Sequence, residues 1–328
     1  METSQLETRI NTLNQEGIAL TMQAPPRYDD ALIKHTEALQ IAREGKLNPD
    51  YRAFSSANIA YALRRKAEPR ETVLKLLDDS FQENLTSMKT WAADSRQESY
   101  AGTARLLEEM TLVHKSSNAT DGLTVARGNI HMAIDLYLVA AGNVPAEIIT
   151  LPQINSRLWR TLGVASTVAT DLSKHFPRER KAYLREAVSY AQQELDARLS
   201  AGETSGRDVA NAYHTVAAAQ TELASRDKNM YLAAKENLQR GKQFALDAGY
   251  LMPFSVMSLR EAWLEYKRSP LNKKVIGNLV QTVLDQQQQE SMHWDKAVKN
   301  GLHPKMMKLA ECLGGVYQAQ INELYSAR

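Results

Sequence analysis

Two helical hairpins, written one after the other in the second half of the chain, decide how this sequence is expected to fold. The first reads RLWRTLGVASTVATDL (157–172) followed by KAYLREAVSYAQQELDARLSAG (181–202). The second reads NAYHTVAAAQTELAS (211–225) followed by KNMYLAAKENLQRGKQFALDAG (228–249). Ala, Leu, Glu, Gln, Lys and Arg fill these segments, and all of them favour the α-helix. The stretch therefore predicts successive helix–turn–helix units.

The second helices of these two hairpins are similar to each other at a fixed spacing. Both open with Tyr-Leu, at Tyr183 and Tyr231, and both close on Ala-Gly, at Gly202 and Gly249. The tyrosines are 48 residues apart and the glycines 47. Self-similarity at a period of roughly 20–50 residues is typical of stacked supersecondary units. We therefore predict an all-α protein in which antiparallel helical hairpins are stacked as an α-solenoid.

The remaining sequence carries the same helical signals and predicts no β-hairpin. Residues 143–152 contain two prolines and form the least helical stretch in the middle of the chain, so a linker or hinge is expected there. This divides the chain into N-terminal hairpins (1–142) and C-terminal hairpins (153–328), unless both belong to one continuous solenoid. A compact α-helical bundle is the alternative architecture.

Composition narrows the class of protein. Of 328 residues, 43% are hydrophobic and 24% charged, which is typical of a globular chain. The 40 basic and 38 acidic residues nearly balance, which argues against a surface coated in phosphate-binding charge. The single cysteine, Cys312, cannot build a disulfide framework. With no apolar run of signal-peptide or membrane-spanning length, we expect a cytoplasmic protein.

Motifs that would indicate catalysis are missing from the sequence. It contains no H-E-x-x-H, G-x-S-x-G, G-x-x-x-x-G-K-[ST] or G-x-G-x-x-G. We therefore expect no cofactor, no metal site and no enzymatic activity. The alternative is an all-α enzyme with a pocket in a compact bundle. The first candidates for its active site are His131, Asp135, Glu108 and Glu109.

Short motifs in the predicted helices resemble the tetratricopeptide repeat. WRTLG (159–163) is similar to the first-helix pattern W-x2-L-G-x2-Y, although Ser166 replaces the final tyrosine, and FSSANIAY (54–61) keeps that tyrosine. AIDLYLVA (133–140) resembles the second-helix pattern A-x3-F-x2-A. The hairpins here recur every 47 to 54 residues, whereas the family repeats every 34, and the closing proline is missing. The resemblance covers about half of the chain.

The resemblance implies that the first helix of each hairpin lines a concave groove that binds a protein or an extended peptide. Carried over one residue at a time, the groove positions are Arg52, Ser55, Ser56, Arg157, Arg160, Thr161, Thr167, Asn211, His214, Thr215 and Thr221. Arginine grips carboxylates in a bidentate manner, so an acidic peptide would suit this groove. The function that follows is a protein- or peptide-binding adaptor or regulatory scaffold. Ordinary exposed polar positions are the alternative explanation of these residues.

A basic stretch supports a second alternative function. KHFPRERK (174–181) places basic residues beside an aromatic ring, and Arg64-Arg65-Lys66 is a weaker example, as in surfaces that meet nucleic acid. Such stretches are more often solvated loops or helix starts, and the net charge is only +2. An RNA-binding helical repeat therefore remains an alternative, and it predicts an affinity that falls steeply with salt. The oligomeric state is left open.

Overall fold

A computed structural model gives the fold. The residues it describes are 3–23, 25–88, 96–142, 151–202, 206–224, 227–289 and 296–326. These residues form fourteen α-helices and no β-strand. None of the described helices offers an apolar segment of the length that a bilayer crossing requires. The chain divides into two compact units, Met1–His175 and Phe176–Arg328.

The first unit is a series of helices packed in chain order. Its described helices are α1 (Thr3–Thr21), α2 (Tyr28–Glu44), α3 (Pro49–Arg65), α4 (Arg70–Met88), α5 (Arg96–Ser116), α6 (Thr120–Ala141) and α7 (Leu151–His175). Each helix packs against the next, and α5 also contacts α3 and α7 directly. Where the connection is short, as at 45–48 between α2 and α3, successive helices run antiparallel.

The second unit repeats this arrangement. Its described helices are α8 (Arg180–Ser200), α9 (Gly206–Leu223), α10 (Lys228–Asp247), α11 (Leu251–Arg268), α12 (Lys273–Gln289), α13 (Lys296–Leu313) and α14 (Gly315–Ser326). Each packs against the next, and α11 also contacts α9 and α13. Contact mainly with neighbours in sequence is typical of α-solenoid stacking. The predicted all-α class, built from stacked helical hairpins, is therefore confirmed.

The second predicted hairpin is observed as α9 packed against α10. The closing glycines of both repeats lie beyond helix ends with positive φ, 67° at Gly202 and 71° at Gly249. Glycine adopts this left-handed conformation without steric cost, which explains why the two helices stop at equivalent places. The first predicted hairpin is divided, because α7 belongs to the first unit and α8 to the second.

The observed division between the two units does not coincide with the boundary predicted from the sequence, which lay at residues 143–152. Whereas the expected N-terminal half ends at residue 142, α7 packs against α6 and belongs with the first unit. Most of the expected linker, 143–152, lies outside the described residues. Only Leu151 and Pro152 are within them, and they begin α7.

Small residues allow the paired helices to approach closely. Ala133, Tyr137 and Ala140 on α6 are all buried. On α10, a Cβ added at Gly241 would lie 2.8 Å from the Cβ of Tyr213 on α9. Small side chains at the crossing and large ones beside it fill the space between helices. Close helix packing thus accounts for the motif at 133–140.

A buried histidine joins the first three helices. His35 on α2 is only 1% exposed, and its Nδ1 lies 2.9 Å from the side-chain oxygen of Asn14 on α1. Asn14 in turn donates from Nδ2 to the hydroxyl of Ser55 on α3, at 3.0 Å. Burial lowers the pKa of His35 to about 4, so the ring is neutral at neutral pH. Gly17 on α1 faces this ring, and a Cβ there would lie 2.5 Å from Cε1.

We expect Gly17→Ala to destabilise the protein by about 1–3 kcal/mol, because the enclosed His35 ring cannot move away from the added methyl group. The matched control is Gly128→Ala on α6, where the position is exposed and nothing lies within 4 Å of an added Cβ. That change should stabilise the protein by about 0.5–1 kcal/mol, since alanine favours the helix over glycine. Urea denaturation measures both values. Equal effects of the two substitutions would contradict the packing described here.

The depressed pKa of His35 predicts that stability falls as the solution is acidified. In the unfolded chain the ring takes up a proton at its ordinary pKa of 6.5, whereas in the folded chain it resists protonation until about 4. Stability is therefore fully present above pH 6.5 and is lost as the pH falls towards 4. By about pH 5 the loss from this one group is roughly 2 kcal/mol. Urea denaturation at several pH values, compared between the wild type and His35→Gln, should show a shallower dependence in the variant.

Candidate functional site

The first unit encloses a cluster of charged side chains between α3, α5, α6 and α7. We call it the arginine cluster, and its members are Arg64, Arg105, Glu108, Glu109, Tyr137, Arg157 and Arg160. Arg105, both glutamates and Tyr137 are buried. Ionised side chains are almost never fully buried unless they are paired, because leaving water is costly. The cluster is therefore an unusual electrostatic feature for a protein interior.

Helix α5 supplies the centre of the cluster. Arg105 precedes Glu108 and Glu109 by three and four residues, a spacing that brings side chains onto one helical face. Arg105 Nη2 lies 2.6 Å from Glu109 Oε1, and Nη1 lies 3.4 Å from Glu108 Oε2. Burial alone would raise the pKa of Glu109, but the charges of Arg105, Arg64 and Arg160 outweigh it and hold that pKa below its ordinary value.

Arginines from two other helices complete the pairing and bring the cluster to the surface. Arg64 of α3 donates from Nη2 to Glu109 Oε2 at 3.2 Å, and Arg160 of α7 places Nε 3.1 Å from Glu108 Oε1. The side chain of Arg160 is 44% exposed and that of Arg64 is 24% exposed. The sequence assigned Arg160 to a binding groove and Glu108 to a possible active site. The structure brings the two into one ion pair.

Positive charge exceeds negative charge in the cluster. Its four arginines carry four positive charges, against two on the glutamates. Arg157 on α7 is half-buried, and within the described part of the chain its guanidinium has no hydrogen-bond partner. Burial, and then the charge of Arg105, lowers the pKa of Arg157. Tyr137 and Glu108 act in the opposite direction, so the carboxylate of Glu108 faces Arg157 as well as Arg105 and Arg160.

The hydroxyl of Tyr137 is one of several buried groups in the cluster that make no hydrogen bond in the described structure. The others include Arg105 Nε, both carboxylate oxygens of Glu108 and Glu109 Oε1. Tyr137 on α6 is fully buried, and its hydroxyl makes no hydrogen bond among the described residues. Burial, followed by the charge of Glu108, raises the pKa of Tyr137 well above its usual range. The group therefore stays protonated and remains able to donate a hydrogen bond. Buried polar groups are normally bonded, so this one is an exception that needs an explanation.

Three predicted groove positions on α3 and α7 already have partners inside the protein. Arg52 donates to Glu83 Oε1 at 2.7 Å and to Ser87 Oγ at 2.9 Å. Ser55 is fully buried and accepts a hydrogen bond from Asn14. Thr161, also fully buried, donates to the backbone carbonyl of Arg157 at 2.8 Å. Ser55 and Thr161 thus lie within the helix packing and present no surface to a partner.

The remaining predicted positions follow the same division between surface and interior. Ser56 is buried, and so is Thr221, whose hydroxyl donates to the carbonyl of Ala217. Thr167 on α7 is exposed to solvent. Of the positions predicted on α7, Arg157, Arg160 and Thr167 therefore reach the surface.

Residues predicted on α9 lie in the second unit. Asn211 is exposed, and Thr215 donates to the carbonyl of Asn211 at 2.9 Å. His214 is half-buried, and its Nε2 is enclosed without a hydrogen-bond partner in the described structure. Burial, then the charges of Arg260 and Lys305, lowers the pKa of His214 to about 3. The ring is therefore neutral at neutral pH.

Much of the basic stretch at 174–181 is engaged with neighbouring side chains. Lys174 donates to Asp171 at 2.6 Å, and Arg180 donates to Glu222 at 3.2 Å. The ring of Phe176 packs against Tyr183, with 5.8 Å between centroids. These contacts leave less unpaired positive charge for phosphates than the sequence alone indicates.

The residues predicted for an enzyme active site lie in different environments. Glu108 and Glu109 are held by arginines, whereas Asp135 is exposed to solvent. Among the residues that the structure describes, no group of three or more His, Cys, Asp or Glu side chains is placed to hold a metal ion.

Comparison with known proteins does not identify a family for this chain. No protein-family model matches the sequence, and the comparison with curated proteins gives no match. Among solved structures, a circular tandem repeat protein with novel repeat topology and enhanced subunit contact surfaces is similar at 12% identity and a TM-score of 0.30. The match covers 97% of this chain and 87% of that one, and at this TM-score it supports no inference. Membership of the tetratricopeptide family is not confirmed, and the helical-repeat architecture rests on the packing described above.

We expect Glu109→Gln to destabilise the protein by about 3 kcal/mol, because it leaves Arg105 buried with only a distant partner. The matched control is Glu37→Gln, which removes an equally short ion pair, 2.6 Å to Arg9, between side chains that are 38% and 54% exposed. The control should change stability by at most about 0.5 kcal/mol, since water screens exposed pairs. Urea denaturation at neutral pH measures both. A loss of similar size in the two variants would contradict the proposed importance of burial.

Proposed function

We propose that this chain is a protein- or peptide-binding helical-repeat module, an adaptor or regulatory scaffold, whose partner contacts the arginine cluster along α7. The observation that carries the proposal is the state of Arg157. It is a half-buried guanidinium for which no hydrogen bond to a described residue is found, and its charged neighbours are Arg105, Arg160 and Glu108. A cation held in this way is stabilised by an anionic group brought by a partner.

The arginines of the cluster are already oriented before a partner arrives. Glu108 Oε1 lies 3.1 Å from the Nε of Arg160, Glu109 Oε1 lies 2.6 Å from Arg105 Nη2, and Glu109 Oε2 accepts a hydrogen bond from Arg64. Because side-chain ordering opposes binding, groups that are held in place beforehand give a higher affinity for the same contacts. Arg160 keeps its two Nη groups for a ligand, since the glutamate engages only Nε. In this proposal the two glutamates orient the arginine side chains that form the binding surface.

An acidic peptide fits this surface better than a neutral one. Guanidinium groups bind carboxylates through paired, charge-assisted hydrogen bonds, which are stronger than bonds between neutral groups. A cytoplasmic location fits the unpaired thiol of Cys312, which is a free cysteine in the structure. No cofactor or metal is part of this proposal.

Selection from a random peptide library against the full chain tests the function. We expect the wild type to enrich peptides rich in Asp and Glu, and Arg157→Gln to bind the selected peptides about tenfold more weakly, since an unpaired cation is removed. The matched control is Arg240→Gln, at an exposed arginine in the second unit whose side chain is 60% accessible and pairs with Glu236 at 2.7 Å. Its affinity should equal that of the wild type. Fluorescence anisotropy gives the affinities, and circular dichroism checks that each variant folds.

Two results would count against this function. Peptides that bind Arg157→Gln as tightly as the wild type would exclude the arginine cluster as their site. Failure to select any peptide, together with salt-sensitive binding of a labelled RNA, would favour the RNA-binding alternative.

A further inference from the structure

We propose that the second unit carries a binding surface of its own, on which α9, α11 and α13 together hold an acidic segment of a partner peptide. We call it the indole surface, and its members are Arg180, Glu222, Arg260, Trp263, Lys267 and Lys308. The inference rests on the proposed peptide-binding function and adds a second site, built from residues that take no part in the arginine cluster.

Helices α9, α11 and α13 share a register that brings these side chains to one face. α11 contacts both α9 and α13 directly. Lys267 Nζ on α11 lies 2.5 Å from Glu222 Oε2 on α9, and Lys308 Nζ on α13 lies 5.7 Å from the centroid of the Trp263 ring on α11. Both pairs are 45 residues apart in the sequence. Equivalent positions on successive helices therefore meet, and their side chains form one continuous surface.

Positive charge outweighs negative charge on the indole surface. Against the single negative charge of Glu222 stand four positive charges, on Arg180, Arg260, Lys267 and Lys308. Glu222 is already shared, since Arg180 Nη2 and Lys267 Nζ lie 3.2 and 2.5 Å from the same oxygen, Oε2. For Arg260 and Lys308, no ion pair with a described residue is found. An acidic partner supplies the negative charge that this face lacks.

The other described acidic side chains of these three helices do not compensate these cations. Asp208 on α9 lies 4.0 Å from an arginine of α8. Glu261 and Glu265 on α11 are buried and pair with lysines of α10, at 2.5 and 3.1 Å. Glu311 on α13 is exposed, and no ion pair between it and Lys308 is found in this part of the structure. The excess of positive charge is therefore not cancelled by carboxylates already present.

Arg260 is the cation that gains most from an acidic partner. It is half-buried on α11, and burial lowers its pKa, although the charge of Glu222 acts in the opposite direction. The neighbouring ring of His214 on α9 brings no negative charge, because burial and the charge of Arg260 lower its pKa to about 3. A carboxylate placed beside Arg260 favours the charged guanidinium and binds it through paired hydrogen bonds.

The surface is open to a partner that lies across it. Lys308 is exposed, the side chain of Arg180 is 48% exposed, and Arg260 and Trp263 are half-buried. A peptide held on these side chains therefore needs no enclosed cavity. The Trp263 ring, with Lys267 and Lys308 each 5.7 Å from its centroid, gives this basic face an apolar centre. An apolar residue between two acidic ones matches that arrangement.

The spacing of the helices sets the spacing of the acidic residues. Axes of packed helices are roughly 8–10 Å apart. In the polyproline II conformation, every third side chain lies on the same side of a peptide, about 9 Å further along. Acidic residues at every third position therefore reach Arg260 on α11 and Lys308 on α13 together.

Single-stranded nucleic acid fits this surface less well than a peptide. Proteins that bind such strands stack successive bases on aromatic side chains. Here Trp263 and Tyr266 already stack on each other, with 5.4 Å between their centroids. The observations therefore favour a peptide, and an RNA probe serves as the competing outcome.

Isothermal titration calorimetry on the full chain at neutral pH compares three probes. These are acetyl-Asp-Leu-Pro-Asp-Leu-Pro-Asp-Leu-Pro-amide, the same peptide with asparagine at every aspartate, and oligouridine. All titrations are made in the Arg157→Gln variant, which removes the site proposed in the first unit. We expect the aspartate peptide to bind at least about tenfold more tightly than the asparagine peptide.

Three further substitutions, each removing one positive charge, locate the site. Added to Arg157→Gln, Arg260→Gln should weaken binding of the aspartate peptide by about tenfold, because a charge-assisted pair is lost. Lys308→Gln should weaken it by about threefold, and since Lys308 is exposed this variant keeps the test valid if Arg260→Gln fails to fold. The matched control Arg240→Gln, on α10, should leave the affinity unchanged. Circular dichroism checks the fold of each variant.

The outcomes separate this inference from the function on which it rests. If the aspartate peptide binds the wild type but not Arg157→Gln, the indole surface is wrong and the proposed function stands. Binding that neither Arg260→Gln nor Lys308→Gln weakens would overturn the location, and equal affinities for the two peptides would overturn the acidic partner. Oligouridine bound more tightly than the peptide, with the same loss in Arg260→Gln, would replace the peptide with RNA. If neither these probes nor library-selected peptides bind, both proposals are wrong.

Discussion

The ion pair between Arg105 and Glu109 is the interaction on which the first unit depends. Both side chains are enclosed by helices, and their atoms approach to 2.6 Å. Two charges cannot remain in such a place unless each compensates the other, because the cost of removing an ion from water exceeds what ordinary packing provides. Helix α5, which carries both, contacts α3, α4, α6 and α7. The pair therefore lies on the helix that these four neighbours share.

Replacing such a pair with apolar residues often leaves stability unchanged or improves it, so its presence is weak evidence of a purely structural role. What distinguishes this cluster is that its pairing is incomplete. Within the described structure, the hydroxyl of Tyr137 and the Nε of Arg105 donate no hydrogen bond, and the two carboxylate oxygens of Glu108 accept none. A cluster selected for packing alone would balance its charges and satisfy its donors. This incomplete pairing, at a place where the side chain of Arg160 is 44% exposed, is the observation that supports the proposed binding role.

Elsewhere in the chain, small side chains allow neighbouring helices to pack closely. Gly17 leaves room for the His35 ring between α1 and α2, and Gly241 lets α10 lie against Tyr213 of α9. In both places a methyl group would collide with a neighbour that is itself buried. Hairpins of this kind gain stability from close contact between helices rather than from long apolar side chains.

The sequence by itself determined the class of fold, because helical periodicity and glycine positions are local properties. The spacing of Gly202 and Gly249 marked two helix ends correctly, and the small–large–small pattern at 133–140 identified a buried face. Only the tertiary structure decided which polar residues reach a surface and which charges meet. Periodicity tells which side of a helix is buried but not which helix covers it. For that reason Thr161 was expected in a groove and lies in the interior, and Glu108 and Arg160 were assigned to competing functions but form one ion pair.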